Sequence, residues 1–434
     1  MTGELVAGVD IGTGAVRAVA IDRSGEVRAS SELPLPAQDL PRGESNPDLW
    51  KEGLIKVLEQ LKVGPPVALG IGGHGPTTVL PSSGRALTYQ HPAGASADYD
   101  GQHRAQAQEL SARSGGGNNQ PRRLWDYLAS QLGGSPHTQA VWPGLDPLEG
   151  FGDPIPVGSS CGVTAGGYVL PDGIILAPGA NDAFLTAWAS SIDIPGKGFD
   201  PGGRTGGLGV AISSAEHPVE ARRVMPGHVP GIAVVGGPVA AHGAMLEWWS
   251  RVTGREVGEL IGSAGRVRPG SEGVMILPYL EGERAPRWEP DLRAEIHGLS
   301  SDAGPEVIAR ALLEASAYGL AHIAQDLADR GITMNRMVSS GAPSQSELWV
   351  RIKAAVLGIR VDVPECHHMA AYGAALAAGA AAGWWPRPGE GSPGDWPTPA
   401  VTTYPPERVT AYEEGLSRFI ALGDQAVRRI RQET

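Results

Sequence analysis

A chain of 434 residues exceeds what one hydrophobic core usually supports, so its length predicts two large domains. Its 35 basic and 47 acidic residues give a formal charge of −12, which opposes nonspecific binding to nucleic acids and anionic membranes. The two cysteines, Cys161 and Cys366, lie outside any metal-ligand spacing, which favours buried free thiols over a disulfide or a structural zinc site.

The first residues, MTGELVAGVD, enter a strand almost at once and leave no room for the basic and hydrophobic segments of a secretory signal. We therefore expect a cytoplasmic protein. The longest apolar runs elsewhere are too short, or too rich in alanine and glycine, to span a bilayer, so we expect no membrane partner.

The opening hairpin, VAGVDIGTGAVRAVAID at residues 6–22, is the most informative segment of the chain. It predicts a strand, a tight Gly-Thr-Gly turn and a second strand. Asp10 lies at the edge of this turn, whose backbone amides and Thr13 hydroxyl can surround a phosphate. Because glycine-rich turns are common between apolar strands, an ordinary hairpin is the alternative for this segment taken alone.

The segments that follow alternate between helix and strand patterns, as in an α/β domain. Residues 48–61 predict an amphipathic helix, and residues 65–73 predict a buried strand that ends at His74 and Gly75. A short helix is predicted at residues 124–132, within a stretch rich in glycine, proline and asparagine.

A further carboxylate stands where a strand predicted at residues 173–177 meets the start of a helix, just after Asn181. This carboxylate, Asp182, occupies a position that favours an ionised group and often carries active-site residues. The alternative is that Asp182 only caps the helix, and its position alone favours that role.

A second glycine-rich hairpin, GGRTGGLGVAIS at residues 202–213, aligns with the opening one. Two such hairpins, one at the start of each half of the chain, indicate an internal duplication. We therefore place one domain at residues 1–195 and the other at residues 196–434, facing each other across a cleft that holds phosphate groups.

The second half continues with helices predicted at residues 239–253 and 305–330, a strand at 336–340, and helices at 346–357 and 369–383. The last of these helices is rich in alanine and glycine, so it can pack closely. A loop rich in proline and glycine follows, and only one amphipathic helix comes after it, so this loop is not a domain linker.

Several segments resemble, in the same order, those of the FGGY carbohydrate kinases. LPYLEGERAPRWEPDLRAEIHGL at residues 277–299 resembles the Gly-Glu-Arg-x-Pro segment of that family. Residues 339–365 resemble its adenosine-binding loop and helix, and residues 370–383 resemble the small-residue helix that follows. With DIGTG in the opening hairpin and GGHG at residues 72–75, these segments cover most of the chain.

The resemblance implies an α/β fold with two ribonuclease-H-like domains, of the actin and hexokinase type, flanking a deep cleft. It assigns sugar binding to the N-terminal domain and nucleotide binding to the C-terminal domain. Such enzymes transfer the γ-phosphate of ATP to a hydroxyl of a small sugar or polyol. The similarity is nearest to xylulokinase-like members, so a ketopentose such as xylulose is the expected acceptor. The oligomeric state, monomer or homodimer, stays open.

The resemblance also assigns roles to individual residues. Asp182 is implied as the base that accepts the proton of the sugar hydroxyl, with His74, Gly75 and Asn181 beside the sugar. Asp10 is implied to help hold the hydrated Mg²⁺ that accompanies ATP. The implied nucleotide contacts are Gly12, Thr13, Gly14, Thr205, Gly206 and Gly341.

The sequence departs from the family pattern at several positions. The usual Trp-x-Asp-x-Arg motif is replaced by residues 98–104, in which only Arg104 keeps its apparent place, so the sugar stays unidentified. The second hairpin reads GGLG at residues 206–209 and lacks two hydroxyls that could contact phosphate. The adenosine loop has Ala342 and Pro343 where further glycines are usual, and proline removes a backbone donor.

Two classes of function therefore compete. The first is an active sugar kinase with an altered substrate pocket, and the second is a ligand-binding descendant of the kinase fold with little or no transfer activity. The presence of both Asp10 and Asp182 favours the kinase, because a decayed enzyme has no physical reason to keep two costly carboxylates in one cleft. A transcriptional regulator of the same superfamily is a weaker alternative, because the sequence has no helix-turn-helix extension.

Overall fold

The computed structural model describes residues 4–94, 99–114, 120–165, 170–204, 206–215, 224–239 and 242–433. The strands in these ranges are β1 Leu5–Ile11, β2 Ala15–Asp22, β3 Val27–Pro34, β4 Glu44–Ser45, β5 Ala68–Gly73, β6 Thr78–Leu80, β7 Arg85–Leu87, β8 Arg122–Arg123, β9 Thr138–Val141, β10 Asp153–Pro156, β11 Gly162–Val163, β12 Ile175–Asn181, β13 Lys197–Asp200, β14 Gly207–Ser213, β15 Val224–Pro226, β16 Ile232–Pro238, β17 Met275–Leu277, β18 Glu295–His297, β19 Arg336–Ser339, β20 Arg360–Pro364 and β21 Val401–Tyr404.

The α-helices in the same ranges are α1 Pro47–Gln60, α2 Tyr99–Arg113, α3 Leu124–Gln131, α4 Asp182–Ala189, α5 Gly243–Thr253, α6 Val257–Ala264, α7 Pro305–Ala328, α8 Glu347–Leu357, α9 Met369–Ala381 and α10 Thr410–Glu433. Local capping accounts for several helix starts. The side chain of Asn46 accepts from the Asp48 amide at the start of α1, and Ser346 accepts from the Trp349 amide at the start of α8. Both helices begin close to where the sequence predicts them.

The chain forms two compact units, each made of three segments that are separated in the sequence. Unit 1 comprises Met1–Asp193, Glu220–Ile232 and His368–Pro399, and unit 2 comprises Ile194–Val219, Ala233–His367 and Ala400–Thr434. The predicted division into residues 1–195 and 196–434 therefore differs from the structure, because α9 and the loop after it pack within unit 1. Long-range packing of this kind leaves no local signal in the sequence.

The main sheet of unit 1 has the strand order β11-β12-β5-β1-β2-β3. β1 is antiparallel to β2 and parallel to β5, and β5 is parallel to β12. The predicted opening hairpin is thus confirmed, whereas β12 extends beyond the predicted strand as far as Asn181. Because β1, β5 and β12 run in the same direction, their carboxyl ends meet at one edge of the sheet.

Helix α9 packs against this sheet through small residues on both surfaces. A Cβ atom on Gly8 of β1 would overlap the carbonyl oxygen of Ala371, and one on Gly70 of β5 would overlap that of Ala374. Only glycine permits such a close approach between a strand and a helix backbone. The predicted close packing of this alanine- and glycine-rich helix is confirmed.

Unit 2 repeats the arrangement of a hairpin followed by parallel strands. Its sheet runs through β16, β14, β13, β19, β20 and β21. β13 is antiparallel to β14 and parallel to β19, as β1 is antiparallel to β2 and parallel to β5. The repeated topology agrees with the predicted internal duplication. Strand β21, which the sequence analysis did not predict, adds an antiparallel edge beside β20.

The core of unit 2 is built around α7. Among the described residues, α7 is the one helix long and apolar enough to cross a membrane. However, 83% of its most apolar 18-residue stretch is buried inside the protein. Its apolar surface packs against α6, α8 and α10. Elsewhere, Cys161 and Cys366 are buried thiols that form no disulfide among the described residues, as predicted from their spacing.

Candidate functional site

The carboxyl edge of the sheet in unit 1 brings the predicted acceptor-side residues together. Asp10, near the end of β1, pairs with Gly72 of β5. Asn181, at the end of β12, pairs with Gly73 of β5, and Asp182 follows as the first residue of α4. Three neighbouring strand ends therefore carry both candidate carboxylates to the same edge.

The pKa values of both carboxylates are raised. Burial raises the pKa of Asp10 to about 6, and burial together with the negative charge of Asp10 raises the pKa of Asp182 to about 7. Asp10 is only 5% exposed, and its Oδ1 atom has no hydrogen-bond partner among the described residues. A carboxyl pKa near neutrality suits a group that must accept a proton at physiological pH.

Asn181, rather than Asp182, is the N-cap of α4. The Oδ1 atom of Asn181 accepts from the amide of Ala183 at 2.8 Å, while its Nδ2 atom donates to the carbonyl of Gly75 at 3.0 Å. Asp182 is the first helical residue, and its Oδ1 atom also accepts from the Ala183 amide at 2.8 Å. The alternative in which Asp182 serves only as the cap is wrong, because its neighbour fills that role.

Arg17 is a site residue that the sequence analysis missed. In the opening hairpin it pairs with Asp10, and its Nη1 atom lies 3.9 Å from Asp10 Oδ2. Its Nε atom donates to Glu32 Oε2 at 3.0 Å, and a Cβ atom on Gly12 would lie 2.8 Å from Arg17 Nη1. A signal was present, because the register of a hairpin with this turn places residues 10 and 17 opposite each other.

His74 is held as a buried, neutral ring. It is 4% exposed, its Nδ1 atom forms a hydrogen bond with Thr77 Oγ1 at 2.8 Å, and its ring meets that of Trp50 edge-on at 5.4 Å. Burial lowers its pKa to about 4. At neutral pH His74 can therefore form a hydrogen bond with a hydroxyl without bringing a charge.

A group of buried polar side chains lies next to Gly75. A Cβ atom on Gly75 would lie 3.5 Å from the Tyr99 hydroxyl, and the Tyr99 ring contacts that of His103 at 5.1 Å. The Nε2 atom of His103, the Oε1 atom of Gln106, and the Nε and Nη2 atoms of Arg123 are buried without hydrogen-bond partners in the described part of the chain. Both donors and acceptors in this group thus lack hydrogen bonds, although Arg123 Nη2 lies 3.7 Å from Asp100 Oδ1 as an ion pair.

This polar group was not predicted from the sequence. Arg104, which keeps its place in the divergent motif, is exposed on α2, whereas its neighbour His103 is fully buried. Asp98, also in the divergent segment, lies outside the described residues. Burial of Arg123 depends on contacts such as the hydrogen bond from its Nη1 atom to the carbonyl of Ala140, for which the sequence offers no local signal.

The turn of the opening hairpin exposes backbone. The amide of Gly12 donates to the carbonyl of Ala15 at 2.9 Å and closes the turn. Thr13 and Gly14 are exposed, and Thr13 Oγ1 lies 3.3 Å from the Tyr89 hydroxyl. A Cβ atom on Gly14 would meet no atom within 4 Å, so the surrounding protein does not require glycine there. A glycine at this position leaves the backbone open to a ligand.

In unit 2, the predicted nucleotide residues flank a buried ion pair. Lys353 Nζ donates to Asp200 Oδ2 at 2.5 Å and to Ser339 Oγ at 3.0 Å, and neither charged side chain is exposed. His242 Nε2 lies 3.7 Å from the same carboxylate oxygen. Although burial raises the pKa of Asp200, the charge of Lys353 and the hydrogen bonds from Lys353 and the Gly202 amide hold it below its ordinary value.

The loops that follow β13 and β19 pack backbone against backbone. Gly341 has a φ of 73°, and a Cβ atom there would lie 2.7 Å from the carbonyl oxygen of Pro201. A Cβ atom on Gly206 would lie 2.8 Å from the His242 ring. Gly206 and Gly341 therefore belong to one loop cluster of unit 2. Thr205, predicted beside them, lies outside the described residues.

Among the described residues, no group of three or more His, Cys, Asp or Glu side chains could hold a metal ion by itself. Asp10 nonetheless fits a cation, because its buried Oδ1 atom has no partner. A single carboxylate of this kind suits Mg²⁺, which usually keeps several waters and shares its ligands with phosphate groups.

Part of the chain matches a known protein family. Residues 207–382 match the family description "FGGY family of carbohydrate kinases, C-terminal domain". The matched residues, which are less than half of the chain, are similar to the C-terminal domain of that family. The resemblance that the sequence motifs indicated is thus confirmed.

The chain is similar to gluconokinase from Bacillus subtilis, with 34% identity over 156 residues, which are 33% of this chain and 30% of that enzyme. The matched stretch therefore spans less than a third of that relative.

In three dimensions, the fold resembles that of a ligand-bound xylulose kinase from Lactobacillus acidophilus, with a TM-score of 0.79, 16% identity and 98% of each chain covered. It also resembles glycerol kinase from Plasmodium falciparum with ADP, with a TM-score of 0.73, 14% identity and 98% of each chain covered. The predicted α/β fold of the two-domain FGGY kinases, of the actin and hexokinase type, is confirmed.

Proposed function

We propose that this protein is an ATP-dependent carbohydrate kinase that transfers the γ-phosphate of ATP to a hydroxyl of a small sugar. The observation that carries the proposal is the pair of carboxylates, Asp10 and Asp182, at one edge of the sheet in unit 1. A protein that only binds a sugar has no use for two buried carboxylates, one of which raises the pKa of the other.

Asp182 serves as the base in this proposal. The acceptor oxygen forms a bond to the γ-phosphorus while the bond from that phosphorus to the β–γ bridging oxygen breaks, which releases ADP. The acceptor proton passes to the Asp182 carboxylate, whose pKa of about 7 leaves a large ionised fraction at neutral pH. Because phosphoryl transfer consists mainly of positioning and charge neutralisation, few other groups are needed.

Asp10 and the hairpin turn serve the phosphate side. Asp10 would hold Mg²⁺ through its unpartnered Oδ1 atom. The metal, when bound, neutralises charge on the phosphate oxygens. Gly12, Thr13 and Gly14 would offer backbone amides and a hydroxyl to the γ-phosphate. In unit 2, the loops that contain Gly206 and Gly341 are assigned to the nucleotide, and Thr205 is assigned with them by sequence alone.

The polar groups beside Gly75 indicate the chemical class of the acceptor. His74, Asn181 and the buried atoms of His103, Gln106 and Arg123 include both donors and acceptors. A sugar hydroxyl both donates and accepts, so a neutral polyhydroxylated molecule fits this mixture. We assign a ketopentose such as xylulose as the first acceptor to test. Gluconate and glycerol follow, because the similar proteins include a gluconokinase and a glycerol kinase.

The second candidate is a ligand-binding descendant of the kinase fold with little transfer activity. Two features of unit 2 favour it. The second hairpin has Gly207 and Leu208 where hydroxyls are expected, and Pro343 removes a backbone donor from the adenosine loop.

One experiment separates the two candidates. ADP release from Mg-ATP is measured with the full chain and a panel of ketopentoses, ketohexoses, deoxyketoses, gluconate and polyols, each compared with the acceptor-free rate. A kinase shows acceptor-dependent turnover of at least one compound that Asp182→Asn abolishes. Binding of a sugar by calorimetry, without turnover of any compound, would establish the descendant instead.

A further inference from the structure

Three neighbouring parallel strands of unit 2 begin with a cationic residue in the same register. Lys197 of β13 pairs with Arg336 of β19, and Arg336 pairs with Arg360 of β20. Paired residues on adjacent strands point to the same face, and adjacent strands lie about 4.8 Å apart. The positive charges therefore stand side by side, an arrangement that destabilises a sheet unless an opposite charge lies nearby.

The same cations line one cavity of about 350 Å³. Its walls are formed by Ile194, Pro195, Lys197, Asn335, Arg336 and Arg360. Asp362 contacts Arg360 at 3.2 Å, whereas Arg336 forms no ion pair with any carboxylate in the described part of the chain. The walls thus carry more positive than negative charge, in a protein whose formal net charge is −12.

The cavity lies apart from the loops assigned to the nucleotide. It is at the amino ends of β13 and β19, whereas Asp200 and Ser339, which lead into those loops, end the same strands. Lys197 and Asp200 are three positions apart along an extended strand, a distance of about 10 Å. The length of the strands therefore separates the two places.

We propose that this cavity is a binding site for a small phosphorylated metabolite, held through its phosphate group by Arg336, Arg360 and Lys197. Guanidinium groups match phosphate oxygens in geometry and in charge, and the amide of Asn335 adds a polar contact at the rim. A cavity of this size suits a sugar monophosphate rather than a polymer. The negative charge of the whole chain opposes nucleic acid or an anionic membrane as the occupant.

The test uses the full chain, saturated with a nonhydrolysable ATP analogue and Mg²⁺ so that other phosphate-binding groups are occupied. Inorganic phosphate and ribose 5-phosphate are titrated separately by calorimetry, which distinguishes a free phosphate from a phosphate ester as the occupant. At least one of the two is expected to bind with a dissociation constant below about 1 mM. The affinity should fall as salt is added, because the contacts are partly exposed ion pairs.

Two variants and a control locate the site. Arg336→Glu and Arg360→Gln should each weaken binding by about tenfold or more. Arg330→Gln removes an exposed arginine that pairs with Asp326 outside the cavity, and it should bind as the unmodified protein does. Equal melting temperatures would show that the variants fold. The proposal is wrong if neither probe binds, or if both cavity variants bind as tightly as Arg330→Gln.

Discussion

Asp10 and Asp200 lie at corresponding places in the two units, near the carboxyl end of the first strand of a glycine-rich hairpin, yet their surroundings differ. Asp10 has one cation, Arg17, at 3.9 Å, and its Oδ1 atom has no partner among the described residues. Asp200 accepts from Lys353 at 2.5 Å, from Ser339 at 3.2 Å and from the amide of Gly202 at 3.0 Å.

The pKa values of the two carboxyls are shifted in opposite directions from the ordinary value. Burial dominates at Asp10 and raises its pKa to about 6. Burial also acts on Asp200, but the adjacent cation and hydrogen-bond donors hold its pKa below the ordinary value. One copy of the repeated strand end therefore carries a carboxylate with spare binding capacity, and the other carries a carboxylate that stabilises its own loops.

The largest effect is expected from replacing Asp182, the proposed base. Asp182→Asn should reduce acceptor-dependent ATP turnover by about two to four orders of magnitude, because it removes the base that takes the acceptor proton. Sugar binding, measured by calorimetry, should change little. Asp126→Asn is the matched control, since Asp126 is another buried carboxyl of unit 1 whose pKa burial raises to about 7. Similar turnover in both variants would remove Asp182 from the mechanism.

Replacing Lys353 tests the structural role of Asp200. Lys353→Met leaves Asp200 as an unpaired buried charge, which should cost about 3–5 kcal/mol of unfolding free energy. Denaturant unfolding of the full chain measures this loss. The double variant Asp200→Asn/Lys353→Met should recover much of it, because no charge is left uncompensated. Lys56→Met, at an exposed ion pair, is the control. A stable single variant would contradict the structural role.

The proposed role of Asp10 in holding Mg²⁺ is tested by replacing this residue. Asp10→Asn should raise the Mg²⁺ concentration needed for half-maximal turnover by about tenfold to a hundredfold, while the KM for the acceptor stays close to that of the unmodified protein. Asp22→Asn, at the far end of the same hairpin, should leave the Mg²⁺ requirement unchanged. An unaltered Mg²⁺ titration in Asp10→Asn would show that this carboxylate does not serve the metal.

A smaller effect is expected at the turn of the opening hairpin. Because a Cβ atom on Gly14 meets no protein atom, Gly14→Ala should fold normally. Its methyl group would displace a phosphate held against the turn, so the KM for Mg-ATP should rise by about tenfold, equivalent to about 1.4 kcal/mol. Gly64→Ala is the matched control, since a Cβ atom there also meets open space. Equal KM values would argue against phosphate contact at Gly14.

A further test concerns pH and stability. The folded-state pKa of Asp182, about 7, exceeds the ordinary 3.8, so the folded protein binds this proton more tightly than the unfolded chain. Stability from this group is complete below pH 3.8 and is lost as the pH rises through about 7. Asp182→Asn should therefore melt several degrees higher than the unmodified protein at pH 8 and nearly equally at pH 4. Equal melting temperatures of the two proteins at pH 8 would show that folding does not raise the pKa of Asp182.

Much of the architecture was predictable because its signals are local. Both hairpins follow from glycine-rich turns between apolar strands, and the start of α4 follows from the polar residues Asn181 and Asp182 after an apolar run. The close packing of α9 follows from its run of alanines and glycines. Ordered motifs then pointed to the family, and with it to Asp10 and Asp182 as the candidate carboxylates.

Only the tertiary structure decided which charges are compensated. Arg17 reaches Asp10 through the hairpin register, and Lys353 reaches Asp200 across 153 positions of sequence. The packing of α9 into unit 1 likewise joins segments far apart in the chain. By itself the sequence determined turns, hydrophobic periodicity and the order of motifs, because these depend on neighbouring residues. Burial and charge pairing depend on residues distant in sequence, and these set the chemistry of each carboxylate.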